Sequence, residues 1–111
     1  MAREVASVSP LAFCARWPDG AGDSVQLLDV REPAELAIVS IPGCVAIPMR
    51  EVPGRLAELD RDRPIVVMCH SGVRSRHVAA FLLANGYEQV FNLDGGIDAW
   101  STDVDPELPR Y

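Results

Sequence analysis

The residues best suited to chemistry form the run Cys69-His70-Ser71-Gly72-Val73-Arg74-Ser75, directly after the apolar stretch Ile65-Val66-Val67-Met68. A cysteine at the end of a buried strand, followed by a tight loop and a helix start, makes an anion site. The loop's backbone N–H groups curl inward, and Gly72 permits the dihedrals this needs. The helix start adds unpaired donors and a partial positive charge. These donors converge on the Cys69 sulfur, and the permanently charged Arg74 acts in the same direction. The thiol pKa is therefore expected below its reference value of about 8.5. The cradle suits a thiolate nucleophile, or an anionic sulfur attached to Cys69. No obvious general base accompanies it, which fits a reaction whose leaving group is a stable anion needing no proton.

The elements that must hold this loop alternate between strand and helix. Val5–Val8 reads as a short strand, and Ser9-Pro10 as the N-cap and first position of a helix reaching about Arg16. Val25–Val30 is nearly all apolar, the mark of a strand covered on both faces of a parallel sheet. Pro33–Ala37 reads as a short helix and Val45–Ile47 as a third strand. Met49–Leu59 reads as helical in two pieces broken at Pro53-Gly54. Ile65–Met68 is a fourth strand. About Arg74 to Asn85 is a helix with Val78, Ala79, Phe81, Leu82 and Leu83 at helical spacing and Asn85-Gly86 as its stop. Gln89–Leu93 is a fifth strand and Ile97–Ser101 a last short helix. This order predicts right-handed βαβ units in an α/β three-layer sandwich, with a five-stranded, mainly parallel sheet between helices. Ligands of such sheets bind beyond the carboxyl ends of the strands. Cys69 and the Asp29-Val30-Arg31-Glu32 segment both fall there.

Composition narrows the function further. The 111 residues are enough for one domain, read here as 1–111. Ten basic against sixteen acidic residues give a net charge of −6, which argues against nucleic acid as a partner. No lysine occurs, so Schiff-base and P-loop lysine chemistry are excluded. No apolar run approaches the roughly 18 residues that span a bilayer, so no membrane association is expected. The opening Met-Ala-Arg-Glu-Val-Ala lacks the apolar core of a signal peptide, and the expected location is cytoplasmic. Cys14, Cys44 and Cys69 contain no CxxC pair, which speaks against a zinc site or a disulfide scaffold; no metal is expected.

Taken together, the motifs resemble the rhodanese (thiosulfate sulfurtransferase) family, of the single-domain type. The likeness lies in Leu27-Leu28-Asp29-Val30-Arg31-Glu32, Ile41-Pro42-Gly43-Cys44-Val45-Ala46-Ile47-Pro48 and Cys69–Ser75. It continues through Asn85-Gly86-Tyr87 and Leu93-Asp94-Gly95-Gly96-Ile97-Asp98-Ala99-Trp100, and so covers nearly all of the chain from about Val25. The resemblance implies that Cys69 becomes a persulfide on taking the outer sulfur of thiosulfate and passes it to cyanide, another thiol or a protein acceptor, with no cofactor. By position, Arg74 would hold the small anionic sulfur donor, and the amides of His70, Ser71, Gly72 and Val73 would cradle the terminal sulfur. Two departures are Ser40, where a His often precedes the Ile-Pro-Gly turn, and Cys44 in place of a usual Ala. The segment from Trp100 through Asp105-Pro106-Glu107-Leu108-Pro109-Arg110-Tyr111 is similar to the ends of rhodanese domains attached to enzymes that activate sulfur-carrier proteins. This supports the alternative of a persulfide relay module. Related phosphatases and arsenate reductases have five residues between Cys and Arg; here there are four, a loop that suits one sulfur atom and crowds a tetrahedral oxyanion.

The remaining candidates carry plainer expectations. Asp29 and Arg31 are expected to brace the neighbouring loop through charge-assisted hydrogen bonds, with Ser75 supporting the same loop. His70 is expected to contribute its amide rather than its ring, and His77 to lie on the helix surface. Glu32 and Glu35 read as helix-start acids. Gly95-Gly96 reads as a tight turn, Trp100 as a core or rim aromatic, and Cys14 and Cys44 as small core or near-surface residues.

Overall fold

The computed structural model describes residues 4–111; the opening Met-Ala-Arg, part of the leader reading above, lies outside the described residues. Five strands form one sheet: β1 (Ala6–Val8), β2 (Gln26–Asp29), β3 (Val45–Ala46), β4 (Ile65–Met68) and β5 (Val90–Leu93). Their order is β1-β5-β4-β2-β3, and every pairing is parallel. The helices are α1 (Pro10–Arg16), α2 (Pro33–Ile38), α3 (Val73–Ala84) and α4 (Gly96–Asp103). The expected α/β architecture is present, and the sheet is wholly parallel.

Strand alternation sorts the core into two layers. Ile65, Val67 and Cys69 face the cluster built with Val78, Ala79, Leu82 and Leu83 of α3 and Val52 and Leu59 of the β3–β4 connection. Val66 and Met68 face the opposite cluster, with Phe13, Trp17, Ile97 and Trp100 of α1, its C-terminal end and α4. Phe13 meets Trp17 and Trp100 at centroid separations of 5.2 and 5.4 Å in inclined geometry, which favours ring edge against ring face. Cys69 continues the period of Ile65 and Val67, so its side chain falls on the α3 side of the sheet, under that helix's N-terminus.

Local signals explain most element ends. The Ser9 hydroxyl accepts from the Ala12 amide at 3.1 Å and caps α1. Beyond α3, Gly86 at φ +90° lets its own amide reach Leu83 O and the Tyr87 amide reach Leu82 O, the paired bonds of a Schellman motif. One expectation fails in detail. Met49–Gly54 and Leu56–Glu58 are 3₁₀ stretches, and the break falls at Arg55 rather than at Pro53-Gly54. The Arg55 amide bonds to Val52 O, which puts Pro53 and Gly54 at the centre of that turn; proline's fixed φ is favoured there.

After β2 the chain moves outward to β3, and after β4 it moves the other way to β5. The reversal opens a crevice at the carboxyl ends of β2 and β4. Register pairs Asp29 with Met68, so the loops that begin at Val30 and Cys69 stand side by side at its mouth. Among the described residues no helix is long and apolar enough to cross a membrane.

Candidate active site

The Cys69 loop is held from three directions. Gly72 stands at φ +106°, a left-handed position suited to glycine, and from there its amide donates to the Cys69 Sγ at 3.1 Å. The Ser75 hydroxyl, on the first turn of α3, lies 3.3 Å from the same sulfur. From behind, the Ile97 and Asp98 amides at the start of α4 donate to the carbonyls of Cys69 and His70 at 2.9 and 3.1 Å. Gly96 makes this docking possible: a Cβ there would lie 2.5 Å from Cys69 O and 2.4 Å from His70 O.

Burial opposes ionisation of the Cys69 thiol. Hydrogen bonds from the Ser75 side chain and from the amides of Ser75, Gly72 and Ser71 outweigh it, and the pKa falls below the ordinary thiol value. The direction matches the sequence expectation, and so does the part played by the amides; the Ser75 hydroxyl is the contribution the sequence reading had not placed on the sulfur. Ser75 has one proton to give. Asn92 Nδ2 donates to Gly72 O at 3.2 Å, which turns Asn92 Oδ1 toward the Ser75 hydroxyl. In the thiol form Ser75 donates to Asn92 and accepts from the S–H; in the thiolate form that hydroxyl proton must turn to the sulfur.

Arg74 lies near enough to feel the Cys69 charge, but its guanidinium is already engaged. Its two Nη atoms meet the Glu35 carboxylate in a fork at 2.7 and 2.8 Å. The same contact is the chief reason that Glu35's pKa falls to about 2. Glu35 also accepts from the Glu32 amide at 2.9 Å and closes the capping box of α2. Asp29 and Arg31 are fully buried and paired, with Arg31 Nε and Nη2 donating to the carboxylate at 3.0 and 2.7 Å. The spare donors of Arg31 hold the α2 region: Nη2 reaches Val39 O at 2.7 Å and Nη1 reaches Glu35 O at 3.3 Å. With Asp29 removed, Arg31 would be left charged and buried, at a cost of roughly 3–5 kcal/mol.

A buried thiol under helix-terminal amides, framed by loops from two adjacent parallel strands, is matched by a known family. Residues 19–103 fit the family described as "Rhodanese-like domain". The chain belongs to the rhodanese-like family. It is 44% identical over 79 residues to a protein named "Sulfurtransferase" from Allochromatium vinosum, covering 71% of this chain and 74% of that relative. It is 41% identical over 93 residues to the Arabidopsis thaliana protein named "Rhodanese-like/PpiC domain-containing protein 12, chloroplastic". That match takes 80% of this chain but only 31% of the longer relative. The crystal structure of a rhodanese-like domain protein from Staphylococcus aureus superposes with a TM-score of 0.80 at 30% identity, covering 96% of this chain and 99% of that one.

In this rhodanese-like site Cys69, Gly72, Arg74, Ser75, Asp29 and Arg31 come together around one crevice, as their spacing suggested. The Cys69 Sγ itself accepts from the Gly72 amide, with Ser71 and Ser75 adding to it. One expectation, on the His70 ring, changes. The His70 ring, expected to be idle, lies flat on Tyr111 with centroids 4.2 Å apart and planes 15° apart, and its buried Nε2 makes no hydrogen bond, with the Asp98 carboxylate 4.0 Å away. His77 is exposed, as expected. Cys14 and Cys44 are half-buried beside the aromatic cluster, and burial pushes the Cys44 thiol pKa up.

Sequence reasoning missed the roles of Glu35, Asn92 and Tyr111. For Glu35 a signal existed: its place in a capping box puts its carboxylate at the carboxyl end of the sheet, on the side of the Arg74 loop. Asn92 stood out as the single polar residue inside an otherwise apolar strand. Tyr111 carried no such signal, because its neighbours are set by the path of the chain after α4.

Proposed function

We propose that this chain, read as one domain over residues 1–111, is a sulfurtransferase that uses thiosulfate or a similar anionic sulfane donor. The observation that carries the reading is the Cys69 sulfur, depressed in pKa and bonded by the Gly72 amide inside a loop with only four residues between Cys69 and Arg74. In the first step the Cys69 thiolate attacks the outer sulfur of thiosulfate. A new S–S bond forms, the bond inside the donor breaks, and its electron pair leaves with sulfite. In the second step cyanide, or a thiolate, attacks the outer sulfur of the Cys69 persulfide, and the electron pair of that S–S bond returns to Cys69 as thiolate. Neither step moves a proton, which suits a site with no group poised as a general base.

In this reading the amides of the His70–Val73 loop and the N-terminus of α3 stabilise the outer, anionic sulfur of the persulfide. Arg74 attracts the donor, with its charge partly offset by Glu35. Asp29, Arg31 and Ser75 keep the loop in shape. No cofactor or metal enters either step, and a reducing compartment such as the cytoplasm suits the free thiol. A protein-borne acceptor is a second reading, favoured by exposed apolar residues near the loop: Val73 is 66% and Ile38 48% exposed.

The test is mass spectrometry of reduced protein after exposure to thiosulfate. A gain of about 32 Da on Cys69 is expected, discharged by cyanide with formation of thiocyanate and absent in Cys69→Ser. No gain in the folded wild-type protein overturns the proposal, and hydrolysis of a phosphate ester in its place would favour the phosphatase alternative.

A further inference from the structure

The segment that follows α4 crosses back over the carboxyl end of the sheet. Leu108 packs against the aromatic cluster, and Arg110 is held by Asp98 through contacts of 2.9 and 3.2 Å. Tyr111 then reaches both walls of the crevice. Its hydroxyl accepts from Arg31 Nη1 at 3.0 Å and donates to Glu35 Oε1 at 2.8 Å, while its ring stacks on His70, the residue next to the nucleophile. One side chain thus ties the β2–α2 corner to the Cys69 loop. Its hydroxyl has both a donor and an acceptor, so the socket is a built one. The reaction proposed above makes no use of it.

We propose that Tyr111 is a specificity-determining latch across the mouth of the Cys69 loop, restricting the sulfur to small donors and acceptors until it swings away. A thiol displayed on a protein reaches Cys69 only in the unlatched state. The inference rests on the sulfur-transfer reading for its meaning, but its geometry is independent of that reading. Cys69 is 1% exposed, and the residue beside it, His70, lies under the Tyr111 ring. A small reagent needs only local movement of rim side chains such as His70, whereas a macromolecular group needs the bridge between the two walls removed. Release is reversible: Tyr111 is itself 39% exposed, so its departure opens no interior void, and water can satisfy Arg31 Nη1 and Glu35. The Arg110–Asp98 pair anchors the segment one residue before the latch.

The experiment uses the full chain with Cys14 and Cys44 changed to serine and compares two probes with the same reactive group. These are N-ethylmaleimide and a maleimide carrying a long polyethylene glycol chain. Tyr111→Phe keeps the ring and loses both hydrogen bonds to charged groups; Tyr111→Ala loses the stack as well. Each is expected to raise the rate of the bulky reagent by at least about tenfold, the scale of one lost charge-assisted hydrogen bond and so a floor for the loss of two. The small reagent should change by less than about twofold. The ratio of the two rates cancels any change in thiolate fraction. A rise in that ratio by about fivefold or more in both variants supports the latch; a smaller rise, or none, overturns it. Alkylation requires only the thiol. Failure of the latch therefore shows in this ratio, and failure of sulfur transfer shows separately as a missing gain in mass with thiosulfate.

Discussion

Glu35→Gln isolates the charge of the contact that ties α2 to the start of α3. Glutamine keeps the shape and can still accept from the Glu32 amide, so the capping box survives while the ion pair with Arg74 is lost. In the fold the carboxyl pKa drops from an ordinary 4.5 to about 2, mainly through the hydrogen bonds from Arg74. A drop of that size corresponds to ~3.4 kcal/mol for a fully shielded group. Arg74 is 35% exposed and Glu35 19%, so water screens the pair and about 1–2 kcal/mol is the realistic contribution. The sign follows from proton uptake. As pH falls, the unfolded chain protonates Glu35 first, near its ordinary value, while the folded chain resists until about 2. The contribution is therefore complete above about pH 4.5 and lost by about pH 2. Urea unfolding followed at closely spaced pH values should show wild type more stable than Glu35→Gln at pH 7, with the two converging through the acid window. Curves that stay parallel from neutral pH into acid would refute the pairing as the source of that stability.

Two further perturbations probe the loop itself. Ser75→Ala removes the hydroxyl 3.3 Å from the Cys69 sulfur and leaves Asn92 Oδ1 without its donor; the pH profile of Cys69 alkylation should move to higher pH, and an unmoved midpoint would remove Ser75 as the main stabiliser of the thiolate. Gly96→Ala places a methyl group against the carbonyls of Cys69 and His70 at a φ of +61°. It should destabilise the fold by about 1–3 kcal/mol or more and slow persulfide formation, and an unchanged urea midpoint would contradict the docking of α4 on the loop.

The sequence by itself determined the parallel α/β scaffold, because covered strands such as Ile65–Met68 must be apolar on both faces and Gly and Pro mark where the chain turns. It determined the setting of Cys69 too. Strand, cysteine, glycine and helix start are consecutive in the chain, and local backbone geometry suffices to bring the Gly72 amide to the Cys69 sulfur. Asp29 and Arg31 were legible for the same reason, being two residues apart at a strand end.

What only the tertiary structure decided are partnerships across long separations. Arg74 meets Glu35 thirty-nine positions away, Ser75 meets Asn92 seventeen away, and Tyr111 meets Arg31 eighty away. These depend on which strands become neighbours and in what register, and composition or spacing along one segment does not encode that. The same reason added the Ser75 hydroxyl to the loop amides that the sequence already pointed to. A cation close in sequence was spoken for by a carboxylate from another loop, while a hydroxyl on the first turn of α3 was left facing the sulfur.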